Sequence, residues 1–272
     1  MTERSRAFRQ LHESGCFVLP NPWDAGSARL LAGLGFQALA TTSAGFAWST
    51  GCADQQVRLD DVLAHLRTMS GAVDVPINAD FEGGFAVAPD EVARNVAAAA
   101  ATGIAGLSIE DSSGDPAEPL FDFDLALARI RAARRAIDDS GAGILLTARS
   151  EGFICGRPDL GETIRRLTAF SEAGADCLYA PGLKTMADIT LVVSAVAPKP
   201  VNVLVSSDFV TVAELAAAGV RRISVGGALA RVAWTSVMQA AREIAEQGTF
   251  KCFSGTMAGA QINGLFRERC EP

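Results

Sequence analysis

Lysine is nearly absent. It occurs only at Lys184, Lys199 and Lys251, so arginine carries almost all the positive charge of the 272-residue chain. There is no run of Lys and Arg, and the net charge is −7. Both facts argue against a nucleic-acid partner, whose phosphates need clustered cations. No apolar stretch approaches the length that spans a bilayer, so no membrane partner is expected. The N-terminal Met-Thr-Glu-Arg-Ser-Arg is charged and lacks the apolar stretch of a secretory leader. Six cysteines (Cys16, Cys52, Cys155, Cys177, Cys252, Cys270) show no CxxC spacing. They read as reduced thiols, and the expected location is cytoplasmic. The only two histidines, His12 and His65, fall in helical stretches away from the strand ends, which excludes a histidine-based triad. No GxGxxG follows the first β-like run, which removes the usual dinucleotide-binding signal.

What is present is a repeat. Short β-like runs fall at 16–20, 38–42, 75–80, 106–110, 143–149, 177–181, 201–205 and 222–226. Amphipathic stretches lie between them, such as 59–70 with Val62, Leu63, Leu66 and Met69 at helical spacing. Several helices are expected to end in a small residue followed by a glycine C-cap, at Gly33, Gly103, Gly174 and Gly219. Near-continuous apolar strands alternating with helices imply a parallel sheet covered by helices. Eight such units favour a closed (β/α)8 TIM-type barrel over an open sheet. The expectation is one domain over 1–272, with an N-terminal helix at 3–14 and a helical tail at 249–272. The tail carries Phe250, Phe253, Met257, Leu265 and Phe266. So apolar a segment must dock on its own barrel or be exchanged with a neighbour.

In such a barrel, chemistry sits where strands run into the following loops. Those positions hold Asn21, the Thr41-Thr42-Ser43-Ala44-Gly45 run with Asp54 after it, Asp80 and Glu82, Glu110 and Asp111, Arg149, Tyr179 and Asn202. In extended chain Asp80 and Glu82 leave on one face, and Glu110 ends the neighbouring strand. Clustered carboxylates repel unless a cation sits among them, and an all-oxygen set selects Mg²⁺ or Mn²⁺ over zinc. The equally weighted alternative is that Glu82 and Asp111 are solvated loop residues and only Asp80 is structural. Arg149 can fork a substrate carboxylate, or pair with Glu110 or Asp80, and the two roles are compatible. The Ser43-Ala44-Gly45 amides form a generic anion nest, and Gly226-Gly227 is either a phosphate turn or a plain one. Tyr179, the only tyrosine, is a proton donor or a rim aromatic. Lys184 lies too far past its strand to favour imine chemistry.

These residues in this order resemble the isocitrate lyase/phosphoenolpyruvate mutase superfamily. The resemblance rests on Thr41–Gly45 with Asp54, Asn78-Ala79-Asp80-Phe81-Glu82-Gly83-Gly84, Ile109-Glu110-Asp111 and Thr147-Ala148-Arg149. It implies a Mg²⁺-dependent barrel that stabilises an enolate of a 2-oxo acid. By that resemblance Asp54, Asp80, Glu82 and Glu110 match the metal-site acids, with Glu82 where Asp is more usual. Arg149 matches the arginine that holds the substrate carboxylate, and the Ser43–Ala44 amides, after Thr42, match the loop that receives substrate oxygens. The resemblance also implies a homotetramer, a dimer of dimers that exchanges its last helix. The segment from Asp111 to Leu120 departs from the pattern, since it lacks the lyase Lys-Lys-Cys-Gly-His motif and the mutase lysine.

That departure counts against isocitrate or methylisocitrate cleavage. The function expected is a carbon–carbon lyase acting on a small 2-oxo carboxylate. It would decarboxylate an oxaloacetate-like acid or split a 2-hydroxy acid, with Arg149, Glu110, Tyr179 and Asp54 as the catalytic set. Thr42, Ser43, Ala44, Asp80, Arg149 and Asn202 would contact substrate. Decarboxylation is favoured slightly because it needs no hydroxyl proton removed. The rival from another class is a non-catalytic 2-oxo-acid-binding barrel.

Overall fold

The computed structural model describes residues 1–267, so the end of the expected tail, Cys270 included, lies outside the described residues. Eight strands form: β1 Phe17–Leu19, β2 Leu39–Ala40, β3 Ile77–Asp80, β4 Gly106–Glu110, β5 Leu145–Arg149, β6 Cys177–Tyr179, β7 Val201–Leu204 and β8 Arg222–Ser224. All pair in parallel, in the order β1-β8-β7-β6-β5-β4-β3-β2. The Ala40 N–H donates to the Pro20 carbonyl at 3.1 Å, which brings the two edges together and nearly closes a (β/α)8 TIM-type barrel.

The helices start where polar caps meet the orphan amides of their first turns. Asp24 accepts the Ser27 N–H at 2.6 Å to open α2, Ala25–Gly33. Pro89 takes the first position of α5, Pro89–Ala100, where its missing N–H costs nothing. Three of the four expected glycine turns are found, with positive φ at Gly103, Gly174 and Gly219. The fourth is displaced: α2 runs through Gly33, and Gly35 (φ 92°) makes the turn.

Apolar packing divides at the sheet. Outside, the strands meet the helices through residues such as Leu66, Met69, Val96, Leu107, Ile109, Ile137 and Phe170, all fully buried. Inside, α1 (Glu3–Leu11) closes the N-terminal mouth, placing Phe8 with Leu19, Ala38, Ala40 and Leu145. Burial of that phenyl ring stabilises by roughly 1.5–3 kcal/mol. Gly106 must be a glycine there, because a Cβ would lie 2.8 Å from Phe8 and 2.9 Å from Asn78. His12 caps α1, buried, its Nδ1–H donating to the Phe8 carbonyl at 2.8 Å; His65 stacks on Phe46 at 3.8 Å. Both are packing residues.

After the last long helix the chain turns back only as far as Glu243, which accepts from Thr249 Oγ1 and from the Lys251 and Cys252 N–H groups. The last long helix, α10 (Ala228–Gln247), buries only Ala230, while Val232, Trp234, Val237, Met238 and Ile244 are exposed. Among the described residues of the tail, Phe250, Phe253, Met257 and Leu265 are exposed as well, and Phe266 is half-buried. No helix among the described residues is long and apolar enough to cross a membrane.

Candidate active site

Strand register sets one row of side chains across the C-terminal mouth: Glu110 opposite Arg149, Arg149 opposite Tyr179, Tyr179 opposite Asn202. Arg149 is the hub. Its Nη1 donates to Asp80 Oδ1 at 2.6 Å, its Nη2 lies 3.0 Å from Glu110 Oε2, and its Nε donates to Glu151 Oε1 at 2.8 Å. Asp80 is held from three sides. Its other oxygen accepts the Ser43 N–H at 3.1 Å, and its own N–H donates to Thr41 Oγ1 at 2.9 Å. A carboxylate therefore already sits between a guanidinium and a helix-terminal amide, the pair expected to receive a substrate carboxylate.

Behind this layer lies a support that sequence reasoning did not single out. Glu151 is almost fully buried, and its N–H donates to Asp111 Oδ1 at 2.7 Å. Asp111 in turn pairs with Arg166 at 3.1 Å, on α7 (Leu160–Glu172). The alternative of Asp111 as a solvated loop residue is thus overturned: it is 2 % exposed and anchors Glu151. Glu151 was visible two residues past Arg149, but its partner Arg166 lies on a helix that strand-end reading never reaches.

Glu82 sits differently from the expectation. The strand ends at Asp80, and Glu82 has φ 45°, so extended-chain alternation does not align the two acids. Such a left-handed turn costs a bulky residue about 1–2 kcal/mol. Arg129, on α6 (Phe123–Ser140), clamps this turn. It donates to the carbonyls of Ala86 at 2.9 Å, of Glu110 at 3.2 Å and of Gly83, and stacks 3.9 Å from the Phe121 ring.

The electrostatics follow from crowding. Burial, then Asp80 and Asp54, push the Glu82 carboxyl up to about 7. Burial also raises Glu110 well above the usual carboxylate range, with Arg149 opposing it. Desolvation and then Asp80 raise Asp54. Burial pushes Tyr179 up to about 12, so its hydroxyl stays protonated at neutral pH. Asp54, Asp80, Glu82, Glu110 and Glu151 thus share a single guanidinium. An oxygen-only, strongly acidic donor set of this kind fits a hard divalent cation. No ready cage exists, however: no three His, Cys, Asp or Glu side chains among the described residues are grouped to hold a metal. Asp80 and Glu110 face Arg149 instead.

Thr42, Ser43, Ala44, Asp54, Asp80, Arg149 and Tyr179 all line one cavity of about 220 Å³. Glu82 and Glu110 line an adjoining recess of about 430 Å³. Asn202 lies beneath, its amide donating to Ser224 Oγ at 2.9 Å and its oxygen accepting from Arg222 Nε at 2.8 Å. A larger recess, about 690 Å³, lies on the flank around Trp23, Phe46 and Arg58, away from Arg149 and its carboxylates. The charged groups converge on the smaller cavity. The loop after β4 is short and self-bonded, with Ser112 bridging to Leu120 and Ser113 Oγ donating to the Glu118 carbonyl.

The sequence model described as phosphoenolpyruvate phosphomutase matches residues 8–245. A crystal structure from Burkholderia cenocepacia J2315, described in general terms as a lyase/mutase, superposes with a TM-score of 0.94. It is 44% identical, covering 99% of this chain and 96% of that one. Oxaloacetate decarboxylase of Paraburkholderia xenovorans (strain LB400) is 31% identical over 206 residues, 72% of this chain and 66% of that protein. Oxaloacetate acetylhydrolase in complex with the product oxalate is similar at a TM-score of 0.85 and 26% identity, covering 96% and 93% of the two chains.

Proposed function

Because the chain belongs to the phosphoenolpyruvate phosphomutase family, within the isocitrate lyase/phosphoenolpyruvate mutase superfamily, we propose that it is a Mg²⁺-dependent cytoplasmic lyase that decarboxylates an oxaloacetate-like 2-oxo acid. The observation that carries this reading is the placement of Asp80 between Arg149 Nη1 and the Ser43 N–H. That pair already binds one carboxylate, and it binds a substrate carboxylate once Asp80 turns away.

Asp80, Glu110 and Glu82 would hold Mg²⁺, with Asp54 nearby. Bound there, the ion supplies Lewis-acid polarisation of the 2-oxo group. The protein does the rest. Arg149 and the Ser43 amide fix the carboxylate, and the Ala44 amide stabilises negative charge on the oxo oxygen, worth a few kcal/mol per donor. The scissile C–C bond breaks, its electron pair enters the enolate, and CO₂ departs. Protonation at carbon then gives the shorter 2-oxo acid. Tyr179, protonated at neutral pH and on the cavity wall, would supply the proton, and solvent is the other source. The loop from Asp111 to Leu120 contains no Cys, Lys or His, and of its carboxylates Asp111 is already tied to the Glu151 N–H and Arg166, which leaves Asp115 and Glu118 as the acid–base groups of a rival carbon–carbon lyase. The lack of Cys, Lys and His favours decarboxylation over cleavage of a 2-hydroxy acid.

The test is a coupled assay with oxaloacetate and Mg²⁺, with the metal's background decarboxylation subtracted. Turnover that disappears in Asp80→Ala supports the enzyme. Tight binding of 2-oxo acids with no turnover of any 2-oxo or 2-hydroxy acid would instead mark a binding protein. The exposed apolar face of α10 further supports a homotetramer in which this helix packs on a neighbouring barrel. A monomeric mass by light scattering at micromolar concentration defeats that part.

A further inference from the structure

Two arginines line the cavity, and the protein solvates them in opposite ways. Arg149 is surrounded by carboxylates. Arg222, on β8 and only 2 % exposed, has none. Its Nε donates to Asn202 Oδ1 at 2.8 Å and its Nη1 to Thr147 Oγ1 at 3.1 Å, with Asn78 Oδ1 at 3.5 Å. Each of these acceptors is neutral. Among the described residues Arg222 makes no ion pair, and its Nη2 donates to no protein acceptor. Nor is that nitrogen one of the enclosed polar atoms left without a partner, which places it on the cavity side.

A cation withdrawn from water without a countercharge is expensive to bury, and a protein that keeps one there gains when an anion arrives. The position is also informative. Asn78, beside Arg222, precedes Asp80 by two residues on β3, which puts this layer roughly 6–7 Å below the mouth. A five-carbon chain spans that separation. Leu19 and Ala40 complete the floor, so nothing else at this depth offers a positive charge.

We propose that Arg222 is a specificity residue that receives a far-end carboxylate of a 2-oxo acid whose 2-oxo end is held at the mouth, at least one carbon beyond the β-carboxylate that leaves as CO₂. This rests on the 2-oxo-acid reading above and adds the residue that measures the other end of the ligand. A purely structural role, tying β3, β5, β7 and β8 together, would not distinguish ligands by their far end.

The experiment is calorimetric titration of the Mg²⁺-loaded protein with 2-oxoglutarate, with 2-oxovalerate, which has the same length but no terminal carboxylate, and with oxalate, which probes the mouth alone. The wild-type protein is expected to bind 2-oxoglutarate at least about tenfold more tightly than 2-oxovalerate. Arg222→Gln is expected to bring that ratio to within about twofold while leaving oxalate affinity within about twofold, and Arg222→Lys to keep part of the preference. Equal wild-type affinity for the two five-carbon acids overturns the assignment even if the glutamine variant does not fold. A parallel loss of oxalate binding in Arg222→Gln overturns it too. If the wild-type protein binds none of the three, the 2-oxo-acid reading itself falls, and the role of Arg222 with it.

Discussion

The two ends of the barrel are built from the same eight strands and obey opposite rules. At the N-terminal end Phe8, Leu19, Ala38 and Leu145 exclude water, and the one titratable ring, His12, is kept neutral. At the C-terminal end Asp80, Glu110 and Glu151 crowd one guanidinium, and burial raises the proton affinity of Glu110 and Glu151. Apolar packing fills the first region, while the second gathers like charge around Arg149. The division is testable because each end should fail in its own way.

The largest effect is expected at the stopper. Phe8→Ala should lower unfolding free energy by about 3–5 kcal/mol, read by urea denaturation, with kcat unchanged below the new melting temperature. A loss of activity without loss of stability would break the division. Next is the mouth. Asp80→Ala should lower turnover about 10²–10³-fold while leaving stability within about 1 kcal/mol, because Arg149 keeps Glu110 and Glu151. Unfolding of that variant at room temperature would show that the charged cluster is structural after all.

The smallest effect is a difference of sign with pH. Burial lowers His12 to about 3 in the folded protein, so the folded state stays neutral while the unfolded ring takes a proton below 6.5. Stability from this group is present above pH 6.5 and is lost as pH falls toward 3. Between pH 7 and 5 the loss is about 2 kcal/mol. His65, lowered to about 4, acts in the same direction. Glu82, raised to about 7, does the reverse, since its folded form gains a proton first and acidification stabilises it. In denaturant titrations His12→Phe should flatten the acid-side loss and Glu82→Gln should steepen it. Identical pH profiles for the two variants would contradict the assignment.

Much of this was legible in the sequence. All eight strands fall inside the apolar runs, because a strand covered by helices on one side and core on the other reads as nearly continuous hydrophobicity. Strand-end reading found Asp80, Glu110, Arg149, Tyr179 and the Ser43–Ala44 turn, and the fold brings them together. What it missed involves partners distant in sequence. The Glu151–Asp111–Arg166 chain needs a helix 55 residues beyond Asp111. Arg222 was hidden for another reason: an arginine at the start of a short strand reads as a surface residue. Only the register with Asn202 and the reach to Thr147 show that it points inward. Glu82 was located in sequence, but its left-handed turn was invisible to a rule that assumed extended chain.

The α1 stopper has a consequence for traffic. With the lower opening shut by Phe8, the barrel is a blind well with a single doorway at the ring of acids. In the proposed lyase, whatever enters leaves by the path it came, so the larger product would obstruct the next substrate until it departs. Product inhibition of that reaction would be competitive, and the group seated deepest would be the last to go.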